Sequence, residues 1–306
     1  MIDDEQPVTG RYQGLLGTVI ELRTWARTSD DTVGAEAAVI AEIERLQRVF
    51  DRFDPSSDLC RWRAGTSVTS PELTEVLDLA DRWRRRSGGA FDPTVGRLVA
   101  VWNAAASAGR SPTSTELAEA AALVSPTDAL TDPVARPWVD LNAIAKGWIV
   151  DRALETGLAS PGVIGMTVNA GGDIAHRHDR PLIVGIEDPA RPFDNVDPLT
   201  RVQVIDGAVA TSGGARRGWT IDGTRHSHVL DPRTGASVDH ITSASVLAPD
   251  AATADIVATV LTVLDVADGL AFVDDLDDVG CLLVTADGEA YRDPTWSAAE
   301  AELSAP

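Results

Sequence analysis

The 306-residue sequence lacks any long apolar run and has few cysteines. A helix that crosses a bilayer needs about 18 or more consecutive apolar residues, so the sequence predicts no integral membrane span. Cys60 and Cys281 lie far apart, without a paired spacing, which argues against a disulfide framework and against a zinc site. Two isolated cysteines are typical of a reducing compartment, and a single disulfide between them stays open.

The amino terminus also lacks the pattern of an export signal. Met1-Ile2-Asp3-Asp4-Glu5 is acidic and is not a basic region followed by an apolar core. We therefore expect no signal peptide and no lipoprotein leader. The sequence predicts a cytoplasmic protein, or an exported one if a leader has been removed.

Positive charge is scarce. The formal net charge is -21 and the sequence pI is near 4.5, which disfavours binding to nucleic acid or to anionic membranes. A phosphate-bearing ligand would therefore need a metal ion or a few well-placed cations. Lys146 is the single lysine among arginines, and the two residue types are not interchangeable at a phosphate or carboxylate contact.

The apolar periodicity predicts an α+β fold with mixed or antiparallel sheets and flanking helices. The length favours a single domain over residues 1–306, with a helix-rich half to about residue 160 and a strand-rich half after it. The predicted helices are 34–53, one that begins at Ser70-Pro71, a short one near 116–124, one that ends near Gly157, and 250–264. The predicted strands are 11–26, 166–169, 182–186, 201–205, 208–211, 219–230, 243–247 and a hairpin of 280–285 with 289–292.

One stretch with several chemically active side chains is His226-Ser227-His228-Val229-Leu230-Asp231-Pro232-Arg233-Thr234-Gly235. On a strand, His226 and His228 would face the same way. The turn after them holds a carboxylate, a guanidinium and a hydroxyl. A simpler interpretation is a capped turn in which Asp231 bonds its own backbone, with half-exposed histidines.

A second stretch combines a helix start with the single lysine. Asp140 or Asn142 can cap the helix, which is the purely structural role of both. The amino end of a helix offers unpaired N–H groups and a positive dipole end, and Lys146 lies within its first two turns. This combination is typical of an anion-binding site.

A third stretch places Asp255 and Thr259 four residues apart in an apolar helix, so their oxygens share one face. Such polar groups are costly against a core unless they are satisfied, and Mg²⁺ with its oxygen ligands would satisfy them. In the alternative, Thr259 bonds back to its own helix and Asp255 is solvated.

Taken together, these stretches resemble the ApbE-type FAD:protein FMN transferase family. The resemblance covers nearly the whole chain and follows the order of the family's motifs. It rests on Leu16-Gly17-Thr18 (the family usually has Met-Gly-Thr), 53–59, Ala90-Phe91-Asp92-Pro93-Thr94-Val95-Gly96, Val139-Asp140-Leu141 through Ala145-Lys146-Gly147, Asn169-Ala170-Gly171-Gly172-Asp173, Ala210-Thr211-Ser212-Gly213, 226–235 and 254–259.

The resemblance implies a T-fold-related architecture with a flavin site between two lobes, and it implies a role for each matching residue. His228 would be the catalytic base. A Mg²⁺ ion would be held by the carbonyl of Ala143 and by the side chains of Asp255 and Thr259. The residues that would contact FAD are Leu16, Ala90, Phe91, Asp92, Asp140, Lys146 and Leu230.

The implied reaction transfers the FMN part of FAD to a threonine hydroxyl of an acceptor protein and releases AMP. Two alternatives remain: a Mg²⁺-dependent FAD pyrophosphatase, in which water replaces threonine, and a flavin-binding protein without turnover. Release of AMP in the absence of an acceptor would favour the first alternative. Tight FAD binding without turnover would favour the second, although the presence of His228, Asp255 and Thr259 argues against it.

Overall fold

The computed structural model describes residues 6–66, 70–124, 132–191, 196–214 and 218–301. Their fold is α+β, as the sequence predicted. The helices are α1 (Ser29–Phe50), α2 (Asp58–Arg63), α3 (Pro71–Arg86), α4 (Gly96–Ser107), α5 (Ser114–Ala121), α6 (Asn142–Leu158), α7 (Ala251–Val263), α8 (Val266–Asp274) and α9 (Pro294–Ala299). The strands are β1 (Val8–Leu15), β2 (Thr18–Ala26), β3 (Val163–Ala170), β4 (Asp173–Ile186), β5 (Thr200–Ser212), β6 (Gly218–Ile221), β7 (Thr224–Ser227), β8 (Ile241–Ala248), β9 (Gly280–Thr285) and β10 (Ala290–Arg292).

One eight-stranded sheet organises the described residues. Its order is β1-β2-β3-β4-β5-β8-β9-β10, and every neighbouring pair is antiparallel. Buried apolar side chains of the sheet pack with those of α1, α3, α6 and α7 in the main core. A second core contains Trp296 of α9. The main core therefore holds α6 and α7 close to the sheet.

A smaller unit lies outside the main sheet. The two-stranded hairpin of β6 and β7 shares a separate apolar core with α4 and α5. Trp102 of α4 stacks on Trp219 of β6 with 5.2 Å between the ring centroids. This core supports the segment that follows β7, which contains His228 and Leu230.

Two of the predicted strands were wrong because each contains a turn. Residues 11–26 form the hairpin of β1 and β2, in which Leu16 and Gly17 have positive φ angles of 50° and 69°. Residues 219–230 form β6 and β7, which meet at Asp222-Gly223, where φ is 50° and 77°. Positive φ at both central residues is typical of the tight turn that Asp-Gly favours.

Most helix predictions were confirmed, with shifted ends. The helix predicted at 34–53 is α1, the one starting at Ser70-Pro71 is α3, and the one ending near Gly157 is α6. The strands predicted separately at 201–205 and 208–211 are one strand, β5. The structure adds α4, which was not among the predicted helices, and residues 125–131 lie outside the described residues. The single domain over 1–306 stays a prediction.

Candidate functional site at the contact between α6 and α7

The start of α6 departs from regular helix geometry at a predicted metal ligand. Ala143 has φ -88° and ψ 17°, outside the helical range. The N–H groups of Ile144 and Ala145 both donate to the carbonyl of Leu141, over 3.1 and 2.7 Å. The backbone around Ala143 is therefore turned before the regular helix begins.

The helices α6 and α7 approach each other very closely at Gly147. A Cβ atom added to Gly147 would lie 2.7 Å from the carbonyl carbon of Ala251 and 2.9 Å from the Cα of Ala252. One turn further along α6, the two carboxylate oxygens of Asp151 accept hydrogen bonds from the N–H groups of Ala251 and Ala252, over 2.8 and 2.9 Å. This part of α6 therefore faces the first turn of α7.

The register of this contact relates Asp255 to α6. Asp151 contacts the first turn of α7. Gly147, one turn earlier in α6, packs against the same turn, and its N–H group hydrogen bonds with the Asp255 carboxylate. One turn toward the start of α6 thus corresponds to one turn toward the end of α7. Ala143 lies four residues before Gly147 and Thr259 four residues after Asp255, but the regular helix face of α6 does not extend to Ala143.

Asp255 is an acid with a raised pKa at this contact. Its Oδ2 is shielded from solvent and has no hydrogen-bond partner among the described residues. Removal from water raises the pKa of Asp255 well above its ordinary value, and the nearby charge of Asp173 raises it further, whereas the Lys146 ammonium lowers it. A shielded carboxylate oxygen without a partner is costly, so a cation at this position would stabilise it.

Lys146 forms an ion pair with Asp173, at the start of β4. Asp173 is buried and also hydrogen bonds with the Asp255 carboxyl. The lysine charge thus partly compensates two neighbouring carboxyl groups. Because an ammonium group has three N–H donors, Lys146 retains donors for a further acceptor.

Thr259 supports the alternative interpretation in part. Its Oγ1 donates to the carbonyl of Asp255 over 3.2 Å, within its own helix. The same hydroxyl oxygen still has lone pairs to offer a cation. Asp255, by contrast, is not the fully solvated side chain of that alternative.

The donor set suits a hard cation bound by few protein ligands. The residues that the structure describes contain no group of three or more His, Cys, Asp or Glu side chains that could hold a metal ion. The available donors are instead the Asp255 carboxylate, the Thr259 hydroxyl and the Ala143 carbonyl, which are all oxygens. Mg²⁺ accepts such ligands and completes its octahedron with water and substrate phosphate, so these residues fit the ion.

Two tight turns adjoin this contact. Gly171 and Gly172 connect β3 to β4 with φ angles of 63° and 106°, and a Cβ at Gly171 would lie 3.0 Å from the Cβ of Thr18. The turn that contains Leu16 therefore lies against the turn that leads into Asp173. The N–H of Leu16 donates to the Gln47 side chain over 2.7 Å, which fixes the turn to α1.

The segment 90–93 and Asp140 are brought together, as the sequence motifs implied. Ala90, Phe91 and Asp92 are all buried, and the N–H of Asp140 donates to the carbonyl of Pro93. Oδ1 of Asp92 accepts hydrogen bonds from the N–H and the hydroxyl of Thr94, over 2.7 and 2.6 Å. Oδ2 of Asp92 is shielded from solvent and has no hydrogen-bond partner among the described residues.

Asp140 bonds the backbone at the start of α6 but is not its cap residue, which is Leu141 without a side-chain cap hydrogen bond. Asp140 also has a partner that the sequence did not indicate. Its Oδ1 accepts from the N–H of Asn142 over 2.9 Å, at the start of α6. Its Oδ2 pairs with Arg52 over 2.9 Å. Arg52 lies in the loop after α1 and also covers the ring of Phe53, with 4.7 Å from the guanidinium carbon to the ring centroid.

His226 and His228 occupy different environments. His226 lies in β7, and its ring packs on Trp102 with 5.0 Å between the centroids, so it belongs to the small apolar core. The strand ends at Ser227, and half-buried His228 lies in the bend that follows. Leu230 is buried in the small core.

The Asp231 turn has the capped form of the simpler interpretation. Oδ1 of Asp231 accepts from the N–H of Arg233 over 2.9 Å, and its carbonyl accepts from the N–H of Gly235 over 2.7 Å. A Cβ at Gly89 would lie 3.8 Å from Cγ of Arg233. The turn after His228 therefore adjoins the segment that begins at Ala90.

These contacts form two groups that α6 connects. One group contains Leu16, Lys146, Asp255 and the Gly171-Gly172 turn. The other contains the 90–93 segment, Asp140 and the turn after His228. Asp140 stands just before α6 and Lys146 lies in its second turn, so the helix start joins the two.

Three residues of this region escaped the sequence analysis as individual site residues. Asp173 was part of a recognised motif but had no assigned role, and its position next to a Gly-Gly turn was the available signal. Asp151 and Arg52 gave no local signal, because their partners lie about 100 and 88 residues away along the chain.

Comparisons with known proteins place this fold and these motifs in one family. A sequence model of the ApbE family matches residues 16–283. The FAD:protein FMN transferase of Vibrio cholerae is 31% identical over 273 residues, which are 82% of this chain and 80% of that protein. The FAD:protein FMN transferase of Rhodobacter capsulatus is 30% identical over 298 residues, 92% of this chain but 56% of that longer protein.

The fold leads to the same result. The crystal structure of the ApbE protein from Thermotoga maritima superposes with a TM-score of 0.83 at 27% identity, covering 97% of this chain and 100% of that one. The agreement extends over helices and sheet alike, so the resemblance seen in the motifs is confirmed at both levels. This chain belongs to the ApbE family.

Proposed function

We propose that this protein transfers the FMN moiety of FAD to a threonine hydroxyl of an acceptor protein, with Mg²⁺ as cofactor and AMP as the released product. Family membership supports flavin transfer, because the relatives carry that activity in their names. The observation that carries the proposal is the Asp255 carboxylate, whose Oδ2 is shielded from water and which lies beside Asp173, Lys146 and the N–H group of Gly147 in α6.

In this proposal Asp255, Thr259 and the Ala143 carbonyl hold the Mg²⁺ ion. When bound, the ion neutralises negative charge on the pyrophosphate oxygens of FAD. Because the protein carries a net charge of -21, it would otherwise repel a dinucleotide with two phosphates. Lys146, in the second turn of α6, adds a local positive charge.

FAD would lie along the two groups of residues that α6 connects. Leu16 would contribute an apolar contact at the β1–β2 turn. The other end of the FAD site would be lined by the backbone of Ala90, Phe91 and Asp92, by the side chain of Asp140 and by the backbone near Leu230. Both ends rest on short turns that hydrogen bonds fix to helices, which favours a preformed site.

His228 would be the general base. A neutral imidazole has one ring nitrogen that can accept a proton, here the proton of the threonine hydroxyl. The hydroxyl oxygen forms a bond to the FMN phosphorus while the bond from that phosphorus to the bridging oxygen breaks. The AMP phosphate leaves with the bonding electron pair, and the proton on His228 passes to solvent or to the leaving group.

The proposal is tested by mass spectrometry of an acceptor protein after incubation with FAD and Mg²⁺. We expect covalent addition of one FMN to a threonine, and no addition when that threonine is replaced by alanine or when EDTA is present. The variants His228→Ala and Asp255→Asn should each lose transfer. Near-normal transfer by both variants would refute the assignment of the site.

A reaction mixture without the acceptor protein distinguishes FMN transfer from FAD hydrolysis. FAD with Mg²⁺ but without an acceptor should give little AMP, since no hydroxyl other than water is available. Rapid AMP release under this condition would instead indicate a FAD pyrophosphatase. Tight FAD binding without AMP release, with or without an acceptor, would indicate a flavin-binding protein.

A further inference from the structure

We propose that Asp151 is a positioning residue for the metal site: it fastens the first turn of α7 to α6 and so sets the distance between the ligands on the two helices. The inference rests on the proposed function, because it concerns the Mg²⁺ ion that Ala143, Asp255 and Thr259 would hold. Asp151 itself is not proposed to contact the ion or FAD.

The carboxylate of Asp151 makes both of its hydrogen bonds across the helix interface. One oxygen accepts from the N–H of Ala251 over 2.8 Å and the other from the N–H of Ala252 over 2.9 Å. The first N–H groups of a helix have no partner within the helix, so Asp151 satisfies two donors that would otherwise be unpaired. A negative charge there also interacts favourably with the helix dipole.

The same turn of α7 has a second, local cap that serves as a comparison. Oδ1 of Asp250 accepts from the N–H of Thr253 over 2.7 Å, and its Oδ2 accepts from the Thr253 hydroxyl over 2.9 Å. Asp250 therefore caps α7 from within its own segment. Because Asp151 belongs to α6, it is the cap that also fixes where α7 lies.

The position of this fastening relative to the ligands gives it a functional consequence. Gly147 and Asp151 are spaced by four on α6, and Ala251 and Asp255 are spaced by four on α7. Asp151 bonds the first turn of α7, and Gly147 packs on that turn and hydrogen bonds with the Asp255 carboxylate. A shift of Ala251 away from Asp151 would therefore move Asp255 relative to the start of α6, where Ala143 lies.

Partial loss of contact with water raises the pKa of Asp151 to about 7, although its two backbone hydrogen bonds favour the ionised form. The wild-type protein and its variants are therefore compared at pH 8, where the Asp151 carboxylate is mostly charged.

The test uses the whole protein with FAD and measures the Mg²⁺ dissociation constant by calorimetry. The variants are Asp151→Ala, Asp151→Asn and the matched control Asp250→Ala, each with its melting temperature recorded.

We expect Asp151→Ala to weaken Mg²⁺ binding by roughly 10- to 100-fold, the range found when groups that orient metal ligands are removed. Asp151→Asn should weaken it less, because the amide oxygen still accepts one N–H. Asp250→Ala should leave the dissociation constant unchanged, since it removes a cap of the same helix without loosening its attachment to α6.

Each contrary result has a distinct meaning. If Asp151→Ala lowers the melting temperature but binds Mg²⁺ as tightly as the wild-type protein, Asp151 is a structural residue and the inference is wrong. Equal weakening by Asp151→Ala and Asp250→Ala would also overturn it, because capping alone would then explain the effect. A wild-type protein that binds no Mg²⁺ would overturn the proposed metal site itself, and the inference with it.

Discussion

The close approach of α6 and α7 at Gly147 predicts a sharp cost for the smallest possible substitution, Gly147→Ala. The added methyl group would lie 2.7 Å from the carbonyl carbon of Ala251 and 2.9 Å from the Cα of Ala252, and closer still to the Ala251 carbonyl oxygen. All three are backbone atoms, so no side chain can rotate away to make room. The two helices would have to separate.

Two opposing effects determine the size of the change. Alanine favours a helix interior over glycine by about 1 kcal/mol, whereas overpacking of a tight contact costs roughly 1–3 kcal/mol or more. Because the contact involves backbone atoms alone, we expect the upper part of that range and a net loss of about 1–2 kcal/mol in the free energy of unfolding. At roughly 2–4 °C per kcal/mol, this lowers the melting temperature by about 2–8 °C.

Gly34→Ala is the matched control. Gly34 is also a helical glycine, in the second turn of α1, but a Cβ there meets nothing within 4 Å. The propensity gain should then stand alone and raise the melting temperature by about 2–4 °C.

Thermal unfolding followed by circular dichroism measures both variants, and calorimetry measures Mg²⁺ binding with FAD present. Gly147→Ala should also weaken Mg²⁺ binding, since separated helices carry the ligands apart. If Gly147→Ala melts at or above the wild-type temperature and binds Mg²⁺ normally, the contact between the helices cannot be as close as described.

Three further predictions test other parts of the protein. Thr259→Val should weaken Mg²⁺ binding at least about tenfold, because it removes a proposed ligand. Thr262→Val is the control, since the Thr262 hydroxyl likewise donates to a carbonyl of the same helix, that of Ala258, over 2.8 Å, and it should leave Mg²⁺ binding unchanged. Calorimetry measures the Mg²⁺ affinity of both variants, and equal affinities would remove Thr259 from the site. Burial lowers the pKa of His176, which lies between the Thr167 hydroxyl at 2.8 Å and the Arg180 carbonyl at 2.9 Å. A depressed histidine pKa means that the unfolded chain binds more protons than the folded protein, so the free energy of unfolding should fall as the pH drops below about 6.5. Urea unfolding at pH 5 and pH 7 should show a smaller fall in this free energy for His176→Gln than for the wild-type protein. An identical fall in the two proteins would contradict the prediction. Gly223→Ala should destabilise the β6–β7 hairpin by about 1–2 kcal/mol, because alanine is strained at the positive φ of this turn; Gly223→Asn tolerates that φ better, and equal melting temperatures for the two variants would argue against the turn.

Much of the architecture follows from local patterns. The apolar stripes of α1 and α3 and the Ser-Pro start of α3 predicted those helices, and the alternation of 280–285 and 289–292 predicted the β9–β10 hairpin. The errors fell where a turn has a weak local signal. Leu16-Gly17 interrupts an otherwise continuous alternation, and Leu16 adopts a positive φ that its residue type does not favour. The other turn, by contrast, carries a recognisable local signal, since the pair Asp222-Gly223 favours a two-residue hairpin turn.

No helix within the described ranges is both long and apolar enough to cross a membrane.

The candidate site divides in the same way between local and distant information. Short segments indicated where we propose the site. These local features are the Gly171-Gly172 turn, the helix start before Lys146 and the spacing of Asp255 and Thr259. Three contacts of the site join residues far apart in the chain. They are the ion pair of Lys146 with Asp173, the hydrogen bonds of Asp151 to α7 and the pairing of Arg52 with Asp140. None of these partners is encoded by spacing.

The sequence by itself determined the fold class, the family and the short segments that carry the polar residues, because hydrophobic periodicity, turn residues and motif order are local properties. The tertiary structure decided that the Asp255 carboxylate is shielded from water beside Asp173 and Lys146, and that α6 and α7 meet without room for a methyl group at Gly147. The physical reason is that burial and charge coupling depend on which distant segments pack together, and they set the pKa and the hydrogen-bonding needs of a carboxylate more strongly than its neighbours along the chain do.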